Sequence, residues 1–240
     1  MIEHQETVYP ELNQDDDPRR RILSAALEVF ALHGRDGSRT RDIAGAAGVN
    51  LAMLHYYFSS KEELYIRTVS PLLSDIFGRL KTAAQSAKDP RARLEALVGV
   101  YFDFLKDHPH LPRLMMWELV TGAKALGQIF SGPLQNEKGD LMANFRKIFQ
   151  DGQARGVFRA DNPDQAILST VALCVFPFIA RDLISLIRPE LTARPDFLAE
   201  RRRHVLQLLL RGLQVDEKGR AAAPSEPISE DSPGQTSLTL

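Results

Sequence analysis

Across residues 20–214 the apolar side chains return every three or four positions and nowhere alternate over the length of a strand. That spacing lines one face of an α-helix and cannot supply the two faces of a sheet. The fold class it predicts is all-α. Helices are expected over about 20–33, with Ile22, Ala26, Val29 and Phe30 inward and Gly34 as a left-handed cap, then from Ser38 to Thr40 as far as Gly48. Asn50 caps a third helix that buries Leu54 and, four residues on, Phe58. Ser60 and Glu63 have the spacing of a capping box, so a fourth helix leaves from Lys61 and runs, bending at Pro71, toward Ala87. Asp89-Pro90 opens a fifth that ends at Asp107. A short helix over 111–120, a long one over 133–155, an apolar one over 163–187 capped by Asp161 and a last one over 195–214 complete the series.

Charge divides this chain more sharply than its near-zero total suggests. The formal net charge is −1, yet residues 1–18 hold Glu3, Glu6, Glu11, Asp15, Asp16 and Asp17 with no Lys or Arg, and the sign reverses at Arg19, Arg20 and Arg21. A basic face therefore begins where the helical periodicity begins, and any polyanion would be met locally. Four segments follow: an acidic arm (1–18) read as disordered, a trihelical unit (19–66), a larger bundle (67–214), and a Pro-, Ser- and acid-rich tail (215–240), also read as disordered because it cannot bury enough surface to offset ordering. The single cysteine, Cys174, fits a reducing compartment. No signal-peptide pattern opens the chain, and the longest apolar run, 166–180, is short of the roughly 20 residues a bilayer span requires. These features lead us to expect a cytoplasmic protein without a membrane segment.

The unit 19–66 carries the chemistry. Two short helices separated by "AGVN" form a helix-turn-helix pattern, and the second is short enough to enter a major groove. With Leu54 and Phe58 inward, Leu51, Ala52, His55 and Tyr56 face outward, where hydroxyl and imidazole groups can meet phosphates and small apolar groups a thymine methyl. Arg39, Thr40 and Arg41 at the start of the second helix add phosphate contacts and one arginine fork suited to guanine. Asn50 opens the reading helix and Lys61 opens the one after it, and helix starts favour phosphate. On periodicity alone, a helical lobe with solvated arginines and an aromatic surface patch stands as an equal alternative.

The stretches "ILSAALEVFALHG", "SRTRDIAGAAGVN" and "LHYYFSSKEEL" closely resemble, in order and spacing, the DNA-binding domain of the TetR family of bacterial transcriptional regulators. The resemblance implies that Thr40 contacts phosphate, that Arg41 reads a base, that Leu51, Ala52, His55, Tyr56 and Tyr57 belong to the recognition helix, and that Lys61 anchors a phosphate. Leu51-Ala52 and His55 depart from residues common in the family, which implies thinner hydrogen-bond readout from this helix.

For the bundle the resemblance implies a small-molecule effector site and a homodimer. Phe102, Met115, Met116, Trp117, Phe145, Phe149 and Phe178 are the expected lining of an apolar, effector-binding cavity. Two late helices look apolar on more than one face, so Val175, Ile179, Leu206, Leu209, Leu210 and Leu213 are expected at a two-fold interface. His108 and His110 flank a proline without a second ligand cluster, so no metal site is expected and His108 is read as a helix-end residue. No nucleophile elbow, P-loop or dinucleotide fingerprint is present, so neither enzyme nor cofactor is expected. The expected function is a ligand-responsive regulator, a repressor that binds a palindromic double-stranded operator as a dimer and is released by a small apolar effector. The alternative is an architectural or cell-division DNA-binding protein whose bundle binds proteins and has no effector.

Overall fold

The computed structural model describes residues 17–159 and 161–214, which form twelve helices. Expectations for 1–16 and 215–240 lie outside the described residues. In chain order the helices are α1 Pro18–Gly37, α2 Thr40–Ala46, α3 Leu51–Tyr57, α4 Lys61–Gln85, α5 Pro90–Asp107, α6 His110–Val120, α7 Lys124–Ser131, α8 Gln135–Ala154, α9 Pro163–Ile179, α10 Arg181–Ile187, α11 Pro189–Thr192 and α12 Phe197–Leu213.

Local chemistry explains most of these boundaries. Asp17 accepts a hydrogen bond from the Arg19 amide at 2.9 Å and Pro18 fills the first turn, so both belong to α1 and not to the acidic arm. At Gly34 φ is 70° and ψ 171°, a region open only to glycine and outside the left-handed cap expected there. The chain kinks at that residue and continues to Gly37. Asn50 caps α3 through the Met53 amide at 2.8 Å. At α4, Ser60 Oγ accepts from the Glu63 amide, while Glu63 reaches one residue beyond the usual box to accept from the amide and hydroxyl of Ser59. Those two bonds, with Arg67 and Arg19 behind them, hold the Glu63 carboxyl below its ordinary range.

Three departures from the sequence reading have local causes. Helix α7 was not expected; it starts after two consecutive positive-φ residues, Gly122 (78°) and Ala123 (56°), and only the glycine announces such a turn. The helix expected over 163–187 is two, α9 and α10, bent by 64° at Ala180, just after Pro177 takes one amide out of the last turn. The cap of α9 is Asn162, whose side chain accepts from the Asp164 amide, and not Asp161.

The head packs Ile22, Ala26, Phe30, Ile43, Leu54 and Phe58 into one small core that Leu64 and Tyr65 of α4 complete. Phe30 and Tyr65 meet edge to face with centroids 5.0 Å apart. Helix α4 then crosses into the bundle, where it packs on α5 and α8, while α9 and α12 pack on the far side of α5. Arg93, almost fully buried, is matched by Asp151 of α8 at 2.9 Å. No single helix among the described residues is long and apolar enough to cross a membrane.

Candidate nucleic-acid interface

The reading helix is held by two residues and shows the rest of its surface. Leu54 and, just past its end, Phe58 are buried, whereas Leu51, Ala52, Met53, His55 and Tyr56 are exposed, Tyr56 by 83%. Tyr57 is half-buried and meets Tyr56 edge to face at 5.2 Å. A continuous outer face of one short helix thus carries small, apolar and aromatic groups with two hydrogen-bonding tips. Met53 joins this face although the sequence reading passed over it. Its signal was only its phase, one residue ahead of the buried Leu54.

Arg39 and Arg41 stand exposed at the start of α2 and, among the described residues, neither is in an ion pair; Thr40 is half-buried between them. Lys61 is placed differently. Its Nζ donates to the Ser38 carbonyl at 3.1 Å and the Asp36 carbonyl at 3.4 Å, so it ties the start of α4 to the α1–α2 connection. Arg21, which the sequence reading placed only in the basic run, has a guanidinium nitrogen that would lie 3.6 Å from a Cβ at Gly48 (φ 64°), beside the helix-turn-helix turn.

The seam between head and bundle is built by two neighbours on α6. Trp117 packs its indole on Gly34, where an added Cβ would lie 2.8 Å from Cδ2, and donates from Nε1 to the Ala31 carbonyl at 3.3 Å. Glu118 is buried; it accepts from the Tyr65 hydroxyl at 2.9 Å and from the Leu126 amide of α7 at 3.1 Å. Burial, followed by the adjacent Glu118 carboxylate, pushes the Tyr65 hydroxyl far above its ordinary range. One short helix therefore grips α1, α4 and α7 together.

Those contacts revise the expected effector lining. Met116 and Trp117 are 40% and 39% exposed on the outside of the bundle, and Trp117 serves the seam. Phe102, Phe145 and Phe149 are buried in the bundle interior, with Met115 and Phe178 partly buried against it; Phe102 and Phe178 meet at 5.5 Å. An open groove of about 600 Å³ runs along α4 from Ser60 to Pro71, lined by Glu62, Glu63, Arg67 and Pro133 and by none of these aromatics. His108 ends α5 as expected, its Nδ1 2.9 Å from the Phe104 carbonyl and its ring stacked on Phe104.

The expected interface residues also divide. Leu209 and Leu213 point into their own subunit and are removed from that set, while Val175, Ile179, Leu206 and Leu210 are half-exposed. Beside them Leu168, Phe176, Leu183, Leu186, Ile187 and Leu208 are exposed. Apolar side chains exposed on α9, α10 and α12 mark these helices as a surface on which a partner could pack.

A small three-helix head that presents a capped helix to a major groove, joined by one long helix to an apolar bundle, defines a helix-turn-helix regulator with a separate regulatory domain. Residues 22–68 match the family model for bacterial regulatory proteins of the tetR family, and 90–209 match that for the tetracyclin repressor-like C-terminal domain. The chain belongs to the TetR family of transcriptional regulators, and it is a DNA-binding regulator. It is 30% identical over 211 residues to the HTH-type transcriptional repressor NicS of Pseudomonas putida, covering 84% of this chain and 94% of that protein. It is 34% identical over 132 residues to the HTH-type transcriptional regulator RutR of Escherichia coli, covering 54% of this chain and 62% of that one. The fold is shared with the ketosteroid transcriptional regulator KstR2 of Mycobacterium tuberculosis (TM-score 0.65, 21% identity, 84% and 97% of the two chains covered). It is shared too with FadR of Bacillus subtilis in complex with stearoyl-CoA (TM-score 0.62, 19% identity, 81% and 98% covered).

Proposed function

We propose that this regulator is a repressor that binds a palindromic operator as a homodimer and leaves it when a small, largely apolar effector enters the bundle. The observation that carries the reading is the exposed face of α3, from Leu51 to Tyr56, flanked by the exposed Arg39 and Arg41. Arg41 is assigned to a base edge, and Thr40, Lys61 and the two tyrosines to phosphates. The apolar strip of α9, α10 and Leu208 supports a two-fold partner, which would set two reading helices about one duplex turn, roughly 34 Å, apart. Phe102, Met115, Phe145, Phe149 and Phe178 are the residues assigned to the effector, and the relative NicS, a repressor, supports the sign of regulation. By linkage, an effector that weakens operator binding must itself be bound more weakly by the DNA complex, by the same factor. The architectural alternative finds no support among these regulator relatives.

Selection of random duplexes at stated salt tests the reading, because affinity depends steeply on ionic strength. Enrichment of an inverted repeat with half-sites one turn apart is expected. Recovery of salt-sensitive but sequence-independent binding would instead make the head an electrostatic anchor and return the architectural alternative.

A further inference from the structure

A pocket of about 310 Å³ opens where α4 ends, at Ala84 and Gln85, between the last turns of α8 and the start of α5. It shares no residue with the effector lining assigned above. Its charge is one-sided. Lys88, Arg93, Lys147 and Arg155 line it, and among its described lining residues Asp151 is the one carboxylate.

Arg93 supplies the buried part of this site. Its side chain is 8% exposed; Nη2 is 2.9 Å from Asp151, and Nε, also buried, has no hydrogen-bond partner among the described residues. A buried guanidinium is tolerated when its charge and its donors are met. Here one carboxylate, itself partly open to solvent, meets them incompletely. Lys88, Lys147 and Arg155 are exposed and form no ion pair among the described residues. The walls around them are nonetheless pinned together. Arg155 Nη1 donates to the Lys88 carbonyl at 2.8 Å, and Gln85 Nε2 donates to Asn144 Oδ1 at 2.9 Å, which ties α4 and the α4–α5 connection to α8.

Ordinary helix-end chemistry accounts for only part of this charge. Helices α4 and α8 both end here, and each C-terminus brings about half a negative charge. Asp89, just outside the lining, turns its carboxylate to the Arg91 and Ala92 amides, where the start of α5 partly offsets it. Four cations less Asp151 and two half-charges leave about two positive charges, or about 1.5 if the remainder of Asp89 is counted. A phosphate monoester carries about 1.5 to 2 negative charges near pH 7.

We propose that this pocket is a second ligand site, separate from the apolar cavity, and that it binds a small molecule through a phosphate dianion. Arginine offers paired planar donors and lysine a point charge, a combination suited to phosphate oxygens. The bound anion completes the neutralisation of Arg93 and bridges Lys88 to Lys147 and Arg155, so it fastens the bundle end of α4 to α8. The open mouth leaves the remainder of an ester in solvent.

The full chain is titrated calorimetrically, at about 50 mM chloride to limit screening, with methyl phosphate, a dianion, and dimethyl phosphate, a monoanion of similar shape. Methyl phosphate is expected to bind with a Kd of about 1 mM or tighter, and dimethyl phosphate about tenfold more weakly or not at all. Lys147→Gln with Arg155→Gln should weaken methyl phosphate about tenfold, whereas Lys106→Gln with Lys124→Gln, two exposed cations outside the pocket, should leave it unchanged. Because Arg155 also holds the Lys88 carbonyl, Lys147→Gln alone, expected to cost about threefold, serves if circular dichroism shows the double variant misfolded. Inorganic phosphate and glycerol 3-phosphate identify the source. Equal affinities assign the site to the free ion and tighter binding of glycerol 3-phosphate to an ester, and either result upholds it. No binding up to about 10 mM, or equal losses in the two charge-matched double variants, overturns the proposal. Neither result bears on operator recognition, which the titration does not involve.

Discussion

Gly34→Ala tests whether the head–bundle seam is a fixed joint. The backbone there, φ 70° and ψ 171°, is closed to alanine at a cost of about 1–3 kcal/mol. The new methyl would also sit 2.8 Å from Cδ2 and 3.1 Å from Cε3 of Trp117, so the indole must withdraw and its hydrogen bond to the Ala31 carbonyl is lost, about 0.5–1.5 kcal/mol more. The expected total is about 2–4 kcal/mol, read as a fall in urea midpoint by circular dichroism at one fixed protein concentration, since the stability of any oligomer depends on concentration. Trp117→Ala removes the collision but not the backbone cost. The double variant should therefore lose less than the sum of the singles by about 1 kcal/mol. A Gly34→Ala cost within about 0.5 kcal/mol, or strict additivity with Trp117→Ala, would refute the seam as described.

Arg41→Ala should weaken specific binding by about 1–3 kcal/mol and relax base preference, whereas Lys61→Ala should weaken all duplexes alike and flatten the salt slope by about 1; uniform loss in both would dismiss Arg41 as a base reader. Lys61→Ala should in addition lower stability by roughly 1 kcal/mol, because its amine also satisfies the Ser38 and Asp36 carbonyls. Tyr65→Phe keeps the ring contact with Phe30 but strips a donor from the buried Glu118, an expected cost of about 1–3 kcal/mol in chemical denaturation; a neutral effect would mean that the carboxylate is otherwise satisfied. Burial holds His110 below its ordinary value of 6.5, so the folded state prefers the neutral ring and the unfolded chain binds the proton more readily. Its contribution is whole above pH 6.5 and is lost as pH falls through the folded value. His110→Gln should flatten the stability profile between about pH 7 and 5, and an unchanged profile would assign that slope to other groups.

The head was legible because its signals are local. Asn50, Ser60 and Glu63 cap within four residues of themselves, Gly48 marks its own turn, and Leu54 and Phe58 fix the phase of α3. The bundle was legible as helices but not as surfaces. Nothing near Ala123 in sequence announces positive φ, and the α9–α10 break follows from how the chain leaves Pro177, which periodicity cannot register. Trp117 has the composition of a cavity wall, and only long-range packing against Gly34 puts it in the seam. On α12, apolar residues occupy both faces, so pattern alone could not tell the inward Leu209 from the exposed Leu208.

Because α4 belongs to both head and bundle, it is also a lever. Its 25 residues make a rod of about 37 Å, so pivoting the Gln85 end by about 5° carries the Lys61 end through about 3 Å. That is close to the 3.4 Å step between successive bases on a strand. A distortion too small to repack the bundle can therefore be geared into a full base-pair error at the duplex, and two such levers in a dimer would double it.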